Sequence, residues 1–99
     1  MFATVRESAY DSETLRQGQA HLAEFAALLA RRPGYLGVVG VDAGDGRTLT
    51  VTLWESEAHH EAAAGALAPD AARLLAPLRS GPSRVIGEGP VLHTDLAKR

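Results

Sequence analysis

An Asp-Gly pair set between two runs of β-forming residues constrains the fold of this chain more than any other feature. The runs cover residues 35–41 and 48–54, and Asp45-Gly46 lies in the short loop between them. Both residues of such a pair tolerate a positive φ, which the tight turn of a β-hairpin requires. The sequence therefore predicts an antiparallel hairpin at the centre of the fold.

Alternation along the two runs predicts which side chains share a face of the sheet. On the second run, leucine and valine lie on one face, while threonines and Trp54 lie on the other. On the first run, Tyr35 is predicted to share a face with Gly37, Val39 and Val41. Neither face is charged, so we expect helices to cover one face and a second apolar surface to cover the other.

The residues before the hairpin predict one strand and one helix. Residues 2–7 alternate in polarity, which is typical of a strand with one buried face. Apolar side chains recur at helical spacing over residues 12–31, which predicts a helix that Pro33-Gly34 ends. Gly18 lies inside this helix, so its backbone is either closely approached by another element or locally loose.

The residues after the hairpin predict two helices and an extended end. Ser56 is a suitable N-cap for a helix over residues 56–67. We expect Pro69 to end that helix and a short one to follow over residues 71–75. Residues 84–96 contain two glycines and a proline, so they are predicted as two short strands with a bend between them.

The predicted order is β-α-β-β-α-β, in a single domain over residues 1–99. This is the split βαβ arrangement of the ferredoxin-like α+β fold, with a four-stranded antiparallel sheet and helices on one face. The other face would need a partner, and a second copy of the chain supplies one most simply. We therefore expect a homodimer.

Composition and charge exclude several classes of protein. The 99 residues include no cysteine, which rules out thiolate catalysis and cysteine-ligated metals, and the net charge is −2, which argues against a nucleic-acid binder. RNA-recognition motifs share the predicted element order, but their sheets present stacking aromatics and basic groups, not Val, Thr and Leu. No apolar run approaches the about 20 residues needed to cross a membrane, and no signal peptide is evident, so we expect a cytoplasmic protein.

The order of motifs is similar to that of the antibiotic biosynthesis monooxygenase (ABM) domain. The shared features are the Pro33-Gly34-aromatic turn, the paired hairpin, and the Trp-Glu-Ser-Glu sequence of residues 54–57 before an Ala/His-rich helix. The resemblance extends over nearly the whole chain and implies a dimeric α/β barrel. It also implies oxygen-dependent chemistry, either cofactor-independent oxidation of phenols, in which the deprotonated substrate reduces O₂ itself, or heme degradation.

The sequence departs from the heme-degrading pattern. That pattern has an Asn on the first strand, and this chain contains no Asn. The pattern also has a second Trp, and this chain has Ala63 near that position. The pattern's heme-ligating His falls nearer to Arg73 than to His59 or His60. The resemblance therefore favours the cofactor-free chemistry, and no metal or cofactor site is predicted, since the chain has neither a G-x-G-x-x-G sequence nor a P-loop.

Five residues are candidates for the site. Trp54, the only Trp, would be a core anchor or one wall of an aromatic pocket, with Tyr35 at its rim. His59 and His60 point about 100° apart on a helix, so they cannot chelate one metal together and at most one faces inward. The inward one could act as a general base, or both could be solvated. Arg73 could orient an anionic phenolate or lie at the surface.

Two functions remain open at this stage. The first is a cofactor-independent monooxygenase that uses O₂ to oxidise a small aromatic or quinol-like molecule. The second is a non-catalytic dimeric barrel that binds a small hydrophobic ligand or has a regulatory or stress role. Oxygen uptake on quinols and anthrones separates the two hypotheses.

Overall fold

The computed structural model describes residues 1–95 and contains a four-stranded antiparallel sheet with helices on one face. The elements in chain order are β1 (Phe2–Ala9), α1 (Ser12–Gln17), α2 (Gln19–Ala30), β2 (Tyr35–Gly44), β3 (Arg47–Trp54), α3 (Glu57–Leu74), a 3₁₀ turn (Ala76–Leu78) and β4 (Arg84–Pro90). The strands lie in the order β2-β3-β1-β4. The predicted ferredoxin-like βαββαβ fold is confirmed. Within this part of the chain, no helix is long and apolar enough to cross a membrane.

The hairpin forms at the predicted place. Asp45 has a φ of 56° and Gly46 a φ of 73°, and the residues on either side of them, Gly44 and Arg47, pair across the two strands. Two positive φ angles in a two-residue loop are the signature of a type I′ turn, whose twist matches that of the strands. The tip is also fastened to the end of β1, because the backbone N–H of Tyr10 donates to the Gly46 carbonyl at 2.7 Å.

The prediction that Tyr35 shares a face with Gly37 and Val39 is wrong. Tyr35 pairs with Trp54, but Gly37 pairs with Leu53, so Leu36 is an extra residue in β2. Strict alternation assumes an unbroken ladder, and a bulge of one residue moves everything before it to the other face. Tyr35 therefore lies on the face of Trp54, and not with Val39 and its neighbours.

The predicted helix over residues 12–31 is two helices, α1 and α2, which meet at Gly18. Gly18 is buried, and a Cβ at this position would overlap the side chain of Leu78 in the 3₁₀ turn. The close approach of Leu78 therefore explains why this position is a glycine. Glycine also weakens the interior of a helix, so the interruption between α1 and α2 at this residue costs little further free energy.

The predicted end of the second helix at Pro69 is wrong, and so is the separate helix over residues 71–75. Pro69 lies inside α3, which runs on to Leu74. An interior proline costs about 3 kcal/mol because it removes a backbone hydrogen bond and crowds the preceding turn. Ala63, Leu67 and Leu74 are all buried from one stripe of α3, and burying a leucine contributes about 1.5–3 kcal/mol. Tertiary burial on both sides of the proline therefore outweighs the local cost.

The extended end forms one strand in the described part of the chain, where two were predicted. β4 lies at the sheet edge beside β1, with a register shift opposite Val5 and Arg6. The strand ends at Pro90, which pairs with Phe2, the first residue of β1, and the Val91 N–H still donates to the Met1 carbonyl at 2.9 Å. Residues 91–95 form no strand, and residue 96, the last of the predicted segment, lies outside the described residues.

Two glycine substitutions should change stability in opposite directions. Gly34 has a φ of 82°, and a Cβ there would overlap the His59 ring, so Gly34→Ala should lower the free energy of unfolding by at least about 1–2 kcal/mol. Gly65 is exposed in the interior of α3 with open space at its Cβ position, so Gly65→Ala should raise it by about 0.5–1 kcal/mol. Urea unfolding measures both. Equal stability of Gly34→Ala and the parent would contradict the strained turn.

Candidate functional site

The two faces of the sheet carry different kinds of side chain. Trp54 is buried against Ala63 of α3, so its face is the one that the helices cover. Strand pairing places five hydroxyl side chains on this covered face: Thr4, Ser8, Thr48, Thr50 and Thr52. We call Thr4, Thr50 and Thr52 the threonine row. The other face, which we call the open face, carries the Glu7 carboxylate and a set of aliphatic side chains: Val5, Val39, Val41, Leu49, Val51 and Leu53. The covered face thus combines hydroxyls with the buried rings of Phe2 and Trp54, and the open face is mainly aliphatic.

The helix layer above the threonine row is not closed. α2 has no buried residue, and its apolar stripe is half-buried and consists of Leu22, Phe25 and Leu29. The stripe faces the sheet, because Leu29 packs against the cluster that contains Trp54. Val38 lies on the covered face opposite Thr52 and is nevertheless 43% exposed. The covered face is therefore partly exposed at Val38, on the β2 edge of the sheet.

Four rings form an aromatic cluster at one end of this layer: Phe2, Tyr35, Trp54 and His60. The Tyr35 ring meets Trp54 edge-to-face, with 5.8 Å between ring centroids. His60 stacks on Phe2 at 5.6 Å and lies 6.2 Å from Trp54. The short turn between β3 and α3 brings these rings together, because Ser56 caps α3 by accepting a hydrogen bond from the His59 backbone N–H at 3.2 Å.

The Trp54 indole N–H is buried and has no hydrogen-bond partner among residues 1–95. Trp54 is 2% exposed, so water does not reach this donor from the surface. A buried donor without an acceptor costs about 1–3 kcal/mol. Trp54 is therefore a core residue with one polar atom left without an acceptor in the described part of the chain.

The two histidines have different surroundings. His60 faces the sheet, where its Nε2 lies 3.7 Å from the Glu88 carboxylate on β4. His59 faces the turn before β2, and its Nδ1 lies 2.7 Å from the Ser56 hydroxyl, close beside Gly34. At most one of the pair was expected to face inward, and that residue is His60. Glu88 and Phe2, which complete its environment, come from distant strands, and nothing in the local sequence connects them to the helix.

Arg73 lies away from the aromatic cluster. Its guanidinium donates to Glu24 of α2 at 3.0 Å and to Asp70 at 3.2 Å. The hydrogen bond to Glu24, and then that to Asp70, raises the pKa of Arg73 above its ordinary value. This exposed side chain connects α2 and α3. The structure therefore brings Trp54, Tyr35 and His60 together and leaves Arg73 with structural partners.

Two open hollows lie at the opposite end of the sheet. One, of about 230 Å³, is bounded by Tyr10, Leu15 and the hairpin tip, and the other, of about 300 Å³, is bounded by Glu7, Pro82 and Arg84. Neither includes a residue of the aromatic cluster or the threonine row. Over residues 1–95, no group of three or more His, Cys, Asp or Glu side chains is placed to hold a metal ion.

Comparison with known proteins identifies the fold. Scans of the sequence against protein-family models and against curated proteins found no match. Among solved structures, the chain is similar to SnoaB, a cofactor-independent oxygenase from Streptomyces nogalater, at 17% identity over 96% of each chain with a TM-score of 0.72. It is also similar to an antibiotic biosynthesis monooxygenase, at 12% identity over 94% of this chain and all of that one, with a TM-score of 0.74.

A third similar structure is a variant of MhuD with two manganese protoporphyrin IX molecules bound per active site. The identity is 22% over 95% of this chain and 97% of that one, with a TM-score of 0.72. These likenesses show that the chain has the ABM fold, as the order of its motifs indicated.

Trp54 fluorescence should report which histidine lies beside the indole. The chain has one Trp, and the His60 ring lies 6.2 Å from it. His60→Gln should therefore change the Trp54 emission at neutral pH, because it replaces a ring that neighbours the indole. His59→Gln should leave the emission as it is in the parent. The opposite pattern would show that His59 is the inward residue.

Proposed function

We propose that this protein is a cofactor-independent monooxygenase of the ABM type that oxidises a small aromatic or quinol-like molecule with O₂. The observation that carries the proposal is the position of His60, an imidazole that lies within an aromatic cluster, on the face of the sheet that carries the threonine row. The shared fold with SnoaB supports the same class of reaction.

The proposed reaction begins with proton transfer. His60 removes a proton from an activated CH₂ or a phenol of the substrate, and the Glu88 carboxylate attracts the imidazolium that forms. The resulting carbanion transfers electrons to O₂, and a C–O bond forms to give a peroxide at carbon. Loss of water then leaves a carbonyl, so that R₂CH₂ and O₂ give R₂C=O and H₂O. All four electrons come from the substrate, so no other reductant is needed.

Trp54 and Tyr35 would hold the substrate during this reaction. Their rings meet edge-to-face, which presents both an aromatic wall and, through the indole N–H, a donor for a substrate oxygen. Fixing a flat substrate against this wall would position its acidic proton toward His60. Arg73 is proposed to act only through its contacts between α2 and α3, and not on the substrate.

The residues of this chain do not match a heme site of the kind that the fold also supports. Arg73 is the residue nearest the expected heme-ligand position, and a guanidinium stays protonated and cannot ligate iron. Ala63, which stands near the position of a second Trp, is buried against Phe2 and Trp54 with no room for a larger ring. We therefore derive no step through heme.

We further propose that the active form is a homodimer in which two open faces meet. Val39 and Val41 on this face are 45% and 44% exposed, and together with their aliphatic neighbours they form an apolar surface without helices. A surface that covers itself in a second copy is self-complementary about a two-fold axis. The buried area should exceed about 2,000 Å² in total, the range of obligate dimers.

The alternative is a non-catalytic barrel that binds a small hydrophobic molecule in the same place. The aromatic cluster suits that role as well, because stacking on Trp54 needs no base. The two hypotheses differ in whether His60 matters for more than packing.

Oxygen uptake by the purified protein should distinguish the two functions. With anthrones and hydroquinones as substrates, and no flavin or metal added, the parent should consume O₂. His60→Gln should slow turnover by about 10²–10⁴-fold, because it removes the base but nearly preserves the volume. His59→Gln is the matched control and should stay within a few-fold of the parent. Full activity of His60→Gln would show that the base lies elsewhere, and absence of uptake by the parent would favour the binding protein.

Two neighbouring valines test the dimer. Val39 lies on the open face and Val38 on the covered face, and they are almost equally exposed, at 45% and 43%. Val39→Lys should convert the dimer to a monomer in sedimentation experiments, because it places two charges in the interface. Val38→Lys should leave the dimer intact. A parent that sediments as a monomer at micromolar concentration would contradict the proposed assembly.

A further inference from the structure

We propose that Thr4, Thr50 and Thr52, the threonine row, determine ligand specificity by hydrogen bonding to oxygen groups along one edge of the bound ring system. This inference rests on the proposed function, because it places the ligand between α2 and the sheet. It adds three residues to the site that no catalytic role requires.

The threonine row lies on the same face of the sheet as the aromatic cluster. Thr4 and Thr52 are directly opposite each other on β1 and β3, and both share a face with Trp54. Thr50 follows two residues away on the same strand, a step of about 7 Å along the sheet. The three hydroxyls therefore begin beside the aromatic cluster and continue away from it on the face that the helices cover.

Within residues 1–95, the threonine row differs in its hydrogen bonding from the other hydroxyls of the covered face. Other hydroxyls nearby are engaged: Ser8 lies 2.9 Å from Ser83, and Thr48 lies 3.5 Å from the Ser8 carbonyl. Thr4, Thr50 and Thr52 make no side-chain hydrogen bond within residues 1–95, although Thr4 is only 7% exposed. Thr50 and Thr52 are half-buried, so the hydroxyls of the row are free to bond a ligand atom without breaking a bond within the protein.

Threonine occupies positions at which valine would meet every structural requirement. Valine has nearly the shape of threonine, forms strands equally well and would pack against an apolar helix layer. The same strands use valine and leucine freely on the open face, where no helix lies. Hydroxyls in the covered position thus disfavour a purely apolar filling. They favour a ligand with phenol, hydroxyl or carbonyl groups, since a hydroxyl both donates and accepts.

A matched pair of probes tests the inference, namely 1,5-dihydroxynaphthalene and naphthalene, with binding measured by equilibrium dialysis. The parent should bind the diol more tightly than the hydrocarbon. Thr52→Val and Thr4→Val should each weaken diol binding by about 3- to 10-fold, the effect of one hydrogen bond, and leave naphthalene binding within about two-fold. Thr52→Ser keeps the hydroxyl and should retain the preference.

Thr14→Val is the control, because Thr14 lies on α1 and its hydroxyl is already bound to Asp11 at 3.2 Å. It should leave the affinity for both probes unchanged. Equal losses for diol and hydrocarbon in the threonine variants, or no loss for either, would overturn the specificity role and leave the aromatic site in place. A parent that binds neither probe would overturn both, whereas diol binding without oxygen uptake would overturn only the monooxygenase.

Discussion

The burial of Trp54 is the interaction on which the rest of the structure depends. Its ring lies between Phe2 of β1, Tyr35 of β2 and Ala63 of α3, so one side chain connects two strands and a helix to the end of β3. Burying a ring of this size contributes about 4–6 kcal/mol. Because α3 is drawn onto the sheet at this point, His60 is placed on Phe2 and within reach of the indole.

The aliphatic open face connects stability to the proposed assembly. Between residues 1 and 95, six hydrophobic side chains are buried, a small core for a chain of this length. The two that belong to the sheet, Phe2 and Trp54, lie on the covered face. A second copy against the open face would add apolar burial without using the covered face. In the proposed function, the threonine row would then be available to a ligand.

The residues of the candidate site differ in how far their positions depend on distant parts of the chain. Trp54 and the two histidines could be selected from the sequence because their ring chemistry is uncommon and their spacing from the Ser56 cap is short. Thr4 and Glu88 could not, because they reach the site only through the pairing of β1 with β3 and β4. Arg73 was a candidate because of its positive charge, but in the structure its guanidinium forms ion pairs with Glu24 and Asp70.

By itself, the sequence determined the hairpin and the order of the elements, because turn chemistry at Asp45-Gly46 and alternation along the strands act over a few residues. Only the tertiary structure decided where the local rules are overridden. α3 continues through Pro69 because burial on both sides outweighs a lost hydrogen bond, and the bulge at Leu36 turns Tyr35 toward Trp54. The tertiary structure also decided that His60 faces inward. Two adjacent helical residues point in different directions, and only the packing of α3 on the sheet determines which of them meets it.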